Sequence, residues 1–74
     1  MSKTRTHQPL SELESETVAI FVRIVQALGL PRSVGQIYGL IYISPHPVCM
    51  DELVSRLGIS LGSASQGLRQ LRTL

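Results

Sequence analysis

Residues 60–74 carry polar side chains whose types and spacing suit contact with a nucleic-acid duplex. The set combines an amide, two guanidinium groups, hydroxyls and a glycine: Ser60, Gly62, Ser63, Ser65, Gln66, Arg69, Arg72 and Thr73. Glutamine can pair with adenine, arginine with guanine or phosphate, and serine with base edges or backbone. The sequence therefore predicts a segment that binds double-stranded DNA.

Individual side chains of this set have distinct expected roles. We expect Gln66 and Arg69 to contact bases and Arg72 to contact a phosphate. Gly62 lies near the start of the segment, where a missing side chain lets the backbone approach a phosphate. The amide groups at a helix N-terminus favour an anion at that point.

A helix would separate this polar set from an apolar side. At about 100° per residue, Ala64, Leu68 and Leu71 fall together and predict the buried side. Gln66 and Arg69 fall opposite them. An ordinary amphipathic helix with a solvated outer face would show the same division, so the pattern alone leaves that alternative open.

The charges near the C-terminus favour DNA over a merely solvated face. From Leu53 onward the chain has three arginines, Arg56, Arg69 and Arg72, and no Asp or Glu. Cationic side chains attract the phosphate backbone, and a carboxylate on the same face would repel it. The segment is therefore interpreted as a DNA-recognition helix.

The residues before this segment predict a short helix and a tight turn. Asp51–Leu57 has two apolar anchors, Leu53 and Leu57, spaced one helical turn apart. Gly58 tolerates the positive φ that a tight turn needs. Ile59 is predicted to be buried, and Ser60 to cap the next helix. We interpret residues 51–74 as a helix-turn-helix that inserts its second helix into the major groove.

A longer helix is predicted between Ser11 and Gly29. Ser11 and Glu14 have the spacing of a capping box. The positive end of the helix dipole favours the glutamates in the first turns. The neighbouring sequence suggests no basic partner for them. Apolar residues at helical spacing predict an apolar stripe along this helix: Leu13, Thr17, Ile20, Phe21, Ile24 and Leu28, with Val18 and Val25 widening it.

The segment from Ser33 to about Ile43 is predicted to be a central, buried helix. Ser33 and Gln36 have the spacing of a second capping box, and apolar residues occur on all sides. Gly35 and Gly39 would allow close approach of a neighbouring helix. The alternative is a buried strand, because the run Ile-Tyr-Gly-Leu-Ile-Tyr-Ile is rich in β-formers.

Composition limits the class of protein. The chain has 74 residues, enough for one small domain with little room for an enclosed active site. Charged residues make up 16% of the chain, against about 25% in typical soluble domains, so we expect a partner to cover part of its apolar surface. One cysteine cannot form a disulfide framework, and no segment suggests a signal peptide or membrane span. We expect a cytoplasmic location.

Residues 1–10 are polar and basic, and they are predicted to form a flexible arm. Lys3 and Arg5 are candidates for contact with the DNA backbone or minor groove. Residues 11–74 are predicted to form the helical DNA-binding domain.

Two runs of the sequence carry a resemblance to a known family. Residues 29–45 are GLPRSVGQIYGLIYISP, and residues 51–71 are DELVSRLGISLGSASQGLRQL. Both resemble the corresponding parts of GbsR/MarR-type transcriptional regulators, in the same order and spacing, so that the resemblance covers residues 29–74. It implies a winged helix-turn-helix fold, a homodimer built partly from residues 11–29, and repression of transcription.

The sequence also departs from this family. Such regulators continue with a β-hairpin wing and a further dimerisation helix, whereas this chain ends at Leu74, so we expect the part of a winged-helix domain before the wing. Leu61 stands where the family often has a lysine. Cys49 replaces the usual Ser or Thr cap, so we expect that cap to be weaker, by up to about 1–2 kcal/mol.

Other chemistry has weaker support. His46 and Cys49 are three residues apart, but a structural zinc site needs four ligands, so no metal or other cofactor is expected. Cys49 is predicted to be a free, buried thiol. No catalytic constellation or phosphate-binding glycine loop is present in the sequence, and we expect no enzymatic activity.

The sequence thus predicts an all-α fold of three to four helices that contains a helix-turn-helix, and a sequence-specific DNA-binding repressor that forms a homodimer. The alternative function is a non-catalytic interaction module that dimerises through Leu13–Leu28 and pairs with intact regulators.

Overall fold

The computed structural model describes residues 9–73, which form four α-helices. Helix α1 spans Glu12–Ala27, α2 spans Arg32–Ile43, α3 spans Met50–Leu57 and α4 spans Leu61–Arg72. No strand occurs in this part of the chain. The all-α prediction is confirmed, and the alternative of a strand in the second segment is wrong.

The predicted arm lies mostly outside the described residues, as do Lys3 and Arg5. Its last residue does not belong to an arm, because Leu10 is half-buried and packs against the core. The ordered domain therefore begins before the Ser11 cap.

Helix α1 begins and ends as its sequence predicts. The Ser11 hydroxyl accepts a hydrogen bond from the Glu14 backbone N–H at 3.2 Å, and the Ser11 backbone N–H donates to the Glu14 carboxylate at 2.9 Å. These two bonds complete the capping box. Beyond the other end, Gly29 adopts a φ of 83°, which favours glycine.

Helix α2 begins one residue earlier than predicted. Pro31 is its N-cap residue, and no side chain caps the helix. The Pro31 ring holds φ at −64°, and its carbonyl accepts a hydrogen bond from the Val34 N–H at 3.1 Å. Because the helix already begins at Arg32, Ser33 lies inside the first turn and cannot be the N-cap residue of a Ser33–Gln36 capping box. That predicted box is wrong.

Two glycines let α1 and α2 pack backbone against backbone. A Cβ atom added to Gly35 would lie 2.5 Å from the Cα of Val22 and 2.8 Å from the Phe21 carbonyl oxygen. A Cβ atom added to Gly39 would lie 2.9 Å from the Cα of Val18. The close helix approach predicted from these glycines is confirmed.

This packing buries one edge of the predicted apolar stripe of α1, including Val18 and Val25. The buried residues are Val18, Val22 and Val25. The residues that dominated the predicted stripe point outward, with exposed fractions from 49% to 72%: Leu13, Ile20, Ile24 and Leu28. We call these four residues the exposed α1 stripe. The stripe is divided in this way because the apolar surface of α1 is wider than its contact with α2, and the close approach at Gly35 and Gly39 selects the valine edge.

The core lies where α2 meets the other three helices. Ile37 and Leu40 of α2 and Leu53 of α3 are fully buried there. The central position predicted for α2 is confirmed, but its burial on all sides is wrong. Tyr38, Ile41 and Tyr42 are exposed on its outer side.

The outer tyrosines are held against α1 by an aromatic ring. The ring of Phe21 stacks on that of Tyr38 with centroids 4.9 Å apart, and it lies tilted against Tyr42 at 5.2 Å. Both distances are in the range of favourable aromatic pairs.

Among the described residues, no helix is both long enough and apolar enough to cross a bilayer.

Candidate nucleic-acid interface

A tight turn connects α3 to α4. Gly58 ends α3 in the left-handed conformation, with a φ of 67° and a ψ of 31°, and its N–H donates to the Val54 carbonyl at 3.1 Å. Ile59 is half-buried and packs against the core. Ser60 caps α4 by accepting a hydrogen bond from the Ser63 N–H at 3.0 Å. The glycine turn and the serine cap predicted from sequence are confirmed.

One side of α4 packs on the core. Ala64 is fully buried, and Leu68 and Leu71 are half-buried against the core, which confirms the inner side predicted by the helical spacing. Gly67 is also buried, and a Cβ atom there would lie 2.5 Å from Cδ1 of Ile37. The sequence analysis missed this contact, although small residues at 64 and 67 share one side of the helix.

The opposite side of α4 carries most of the predicted site residues, and we call it the α4 polar face. Its exposed members are Ser60, Gly62, Gln66, Arg69, Arg72 and Thr73. Ser63 and Ser65 are half-buried at its edges. The structure therefore brings all the predicted site residues onto one helix, with the guanidinium and amide groups in solvent.

Some hydroxyl groups of this face already make hydrogen bonds within the protein. Ser60 and Ser63 are joined by a hydroxyl–hydroxyl bond of 3.1 Å, and the Thr73 hydroxyl donates to the Gln70 carbonyl at 2.7 Å. Within residues 9–73, Gln66, Arg69 and Arg72 make no side-chain hydrogen bond or ion pair. Together with the half-buried Ser65 hydroxyl, these three side chains are donors of the face that an external ligand can engage.

A shallow groove runs beside the two arginines of α4. It has a volume of about 210 Å³ and lies between the start of α3 and α4, lined by Met50, Ser65, Leu68, Arg69 and Arg72. The groove thus combines two cations with an apolar floor. Met50 was not predicted as part of the site, because nothing in the local pattern relates it to residues on the next helix.

Arg56 is not part of this cationic surface, contrary to the grouping of the three C-terminal arginines. Its guanidinium lies 2.5 Å from the Glu14 carboxylate and 3.3 Å from that of Glu52. The expectation that the α1 glutamates have no basic partner is therefore wrong for Glu14. Arg56 and Glu14 are 42 residues apart, and sequence spacing gives no sign of such a pair.

The ion pair and the helix cap change the acidity of Glu14. The backbone N–H of Ser11, and then the charge and hydrogen bond of Arg56, hold the pKa of Glu14 below its ordinary value of 4.5, against partial burial, which raises it. A lowered folded-state pKa contributes stability above the unfolded value. That contribution is lost as the pH falls through the lower folded-state pKa.

We expect acid to destabilise the wild-type chain more than a Glu14→Gln variant. The melting temperature of the wild type should fall more steeply below about pH 4.5, because only the wild type must protonate a stabilised carboxylate. Circular dichroism melts across this pH range measure the difference. Glu16→Gln, which removes an exposed carboxylate from the same helix, should follow the wild type. Parallel curves for Glu14→Gln and the wild type would contradict this assignment.

The loop between α2 and α3 holds the residues considered for metal binding. His46 lies 3.5 Å from the Glu52 carboxylate and is more than half exposed. Cys49 is exposed, so the predicted burial of its thiol is wrong. It occupies the N-cap position of α3 without a side-chain bond, since a thiol is a weak acceptor. Within the described part of the chain, no three His, Cys, Asp or Glu side chains form a group able to hold a metal.

Comparison with known proteins adds no relative. No family model, curated protein or solved structure matches the chain.

Proposed function

We propose that this chain is the DNA-binding part of a transcriptional repressor of the GbsR/MarR-type winged helix-turn-helix class, with α4 as the recognition helix. The α4 polar face carries the proposal. It presents Gln66, Arg69 and Arg72 to solvent without protein partners among residues 9–73. The opposite side of the helix is anchored by Ala64 and Gly67.

The connection between α3 and α4 supports the same proposal. A recognition helix must be held rigidly at an angle to the helix before it. Gly58 supplies the left-handed turn, Ser60 the cap, and Leu53 the buried anchor of α3. On this proposal, Gln66 and Arg69 contact base edges and Arg72 contacts a phosphate. We assign the chain no catalytic role and no cofactor.

Salt-dependent DNA binding tests the proposal. A labelled pool of random duplexes is titrated with the chain between about 50 and 200 mM salt, and fluorescence anisotropy gives the affinity. We expect log Kd to change linearly with log salt, with a slope of magnitude about 0.9 for each phosphate contacted. A bound fraction selected from the pool then defines the preferred sequence. Binding that is absent at low salt, or unaffected by salt, contradicts the proposal.

The exposed α1 stripe supports the homodimer and also the alternative function, an interaction module without DNA binding. Ile20 and Ile24 are about half exposed, and Leu28 is 72% exposed. A continuous apolar stripe of this kind on a small protein marks an interaction surface. DNA binding decides between the two functions, since a dimer that lacks any affinity for duplexes would favour the interaction module.

We expect the chain to dimerise through this stripe. Ile24→Glu should weaken self-association by at least about tenfold, because burying a charge in place of an isoleucine costs more than 1.4 kcal/mol. Gln26→Glu adds the same charge at an exposed polar position of α1 and is the matched control. Sedimentation equilibrium measures both. A wild-type chain that stays monomeric, or equal dimerisation of the two variants, would show that the stripe is not the interface.

A further inference from the structure

Arg56 joins two helices whose backbones do not meet. Its Nη2 lies 2.5 Å from Oε1 of Glu14 on α1, and its Nη1 lies 3.3 Å from Oε2 of Glu52 on α3. In the described part of the chain, no Cα atom of α1 lies within 8 Å of one in α3 or α4. The ion pair therefore bridges a gap that no direct backbone packing closes.

The bridge is shielded from water. The side chains of Arg56, Glu14 and Glu52 are exposed by only 12%, 19% and 10%. Ion pairs on an open surface contribute little, because water and salt screen them. When one guanidinium lies between two carboxylates and water is excluded, the attraction between the charges is stronger. Removal of one of the three groups leaves a shielded charge without its full set of partners.

The bridge acts at the N-terminal end of α1, where Leu10, two residues before the helix, also packs against the core. Residues 28–31 connect the other end to α2, and Gly35 and Gly39 contact the middle of the helix at Val22 and Val18. Glu14 lies in the first turn. A helix of 16 residues is about 24 Å long at 1.5 Å per residue, so a restraint at its first turn controls its angle most effectively.

We propose that Arg56 is a positioning residue that fixes the angle of α1 relative to the α3–α4 unit, and thereby the separation of the two recognition helices in the dimer. The second part rests on the proposed function. Recognition helices of a symmetric dimer must match half-sites about 34–36 Å apart. Because α1 is the proposed dimer helix, its angle to α3–α4 sets that separation.

The first test measures the position of α1 without DNA. Spin labels are placed on the native Cys49, which is exposed one residue before α3, and on an added Glu12→Cys in the first turn of α1. The labelled chain is diluted with unlabelled chain so that distances within one chain are measured. Glu14→Gln removes the charge but keeps a capping-box side chain, and exposed Glu16→Gln is the matched control.

We expect the distance distribution to broaden in Glu14→Gln and to stay as in the unmodified chain in Glu16→Gln. Melting curves of both variants establish that they are folded. A second variant, Arg56→Gln, should broaden the distribution in the same way. If Glu14→Gln is folded and its distribution matches that of Glu16→Gln, Arg56 does not position α1 and the proposal is wrong.

The second test compares DNA with one half-site and with two. The half-site comes from the sequence that the wild-type chain selects. In Glu14→Gln and Arg56→Gln, the ratio of the affinity for two half-sites to the affinity for one should fall by about fivefold or more. The affinity for a single half-site should stay unchanged. A purely structural role would lower both affinities together and would overturn the second part of the proposal. If the wild type binds no duplex, the proposed function fails, and the spin-label distances still decide whether Arg56 positions α1.

Discussion

Gly35→Ala is expected to be the most destabilising single-methyl change in this chain. The added Cβ would lie 2.5 Å from the Cα of Val22 and 2.8 Å from the Phe21 carbonyl oxygen. Backbone atoms cannot rotate away as a side-chain tip can, so α1 and α2 must move apart and open the core. Overpacking typically costs 1–3 kcal/mol and occasionally more, so a decrease in melting temperature of about 10–20 °C is expected for a domain of this size.

Gly62→Ala is the matched control for this substitution. A Cβ atom at Gly62 would meet only the Ser60 hydroxyl, at 3.9 Å, which is ordinary contact. Alanine is favoured over glycine in a helix by up to about 1 kcal/mol, so this variant should melt at or above the temperature of the wild type. Thermal melts followed by circular dichroism compare the two. Equal melting of Gly35→Ala and the wild type would mean that the glycine seam between α1 and α2 is absent in solution.

Arg69→Ala should reduce DNA affinity by about 1–3 kcal/mol and relax specificity at one base pair. The guanidinium is exposed on the α4 polar face and makes no bond to the protein among residues 9–73. Its loss should therefore leave the melting temperature unchanged, and the whole effect should appear in binding. Arg72→Ala should instead weaken binding to all sequences equally and lower the magnitude of the salt slope by about 1, as expected for a phosphate contact.

Arg23→Ala is the control for these arginine variants. Arg23 is exposed on α1, and in the described part of the chain it makes no ion pair. The Arg23→Ala substitution removes the same charge from a helix that is distant in sequence from α4. Affinity and specificity are measured by anisotropy on duplexes selected by the wild-type chain. If Arg23→Ala and Arg69→Ala lose the same affinity without any change in specificity, Arg69 contributes net charge only and the assignment of the recognition face is wrong.

Local chemistry made several features predictable. The capping box of Ser11 and Glu14, the glycine turn at Gly58 and the Ser60 cap each depend on residues within a few positions of one another, and all three are present. The inner side of α4 was predictable for the same reason, because a narrow apolar set with polar neighbours fits only one orientation. The spacing of Ser33 and Gln36 misled the prediction at the start of α2, because the helix begins at Arg32 and no side chain caps it.

Other features depended on which surfaces meet. Helix α1 is apolar over a wide arc, so its periodicity could not show whether the valines or the isoleucines face the core. The close approach at Gly35 and Gly39 decided in favour of the valines. Gly67 lies on a helix with a polar sequence, but Ile37 of α2 packs against it because glycine has no side chain in the way.

The sequence by itself determined the four helices, the caps of α1 and α4, the turn at Gly58 and the polar composition of the last helix, because these follow from bonds and dihedral preferences within a few residues. Only the tertiary structure decided which face of α1 is left exposed and that Arg56 binds Glu14 rather than joining the cations of α4. Those outcomes depend on distances between residues far apart in the chain, and such distances are set by the packing of whole helices.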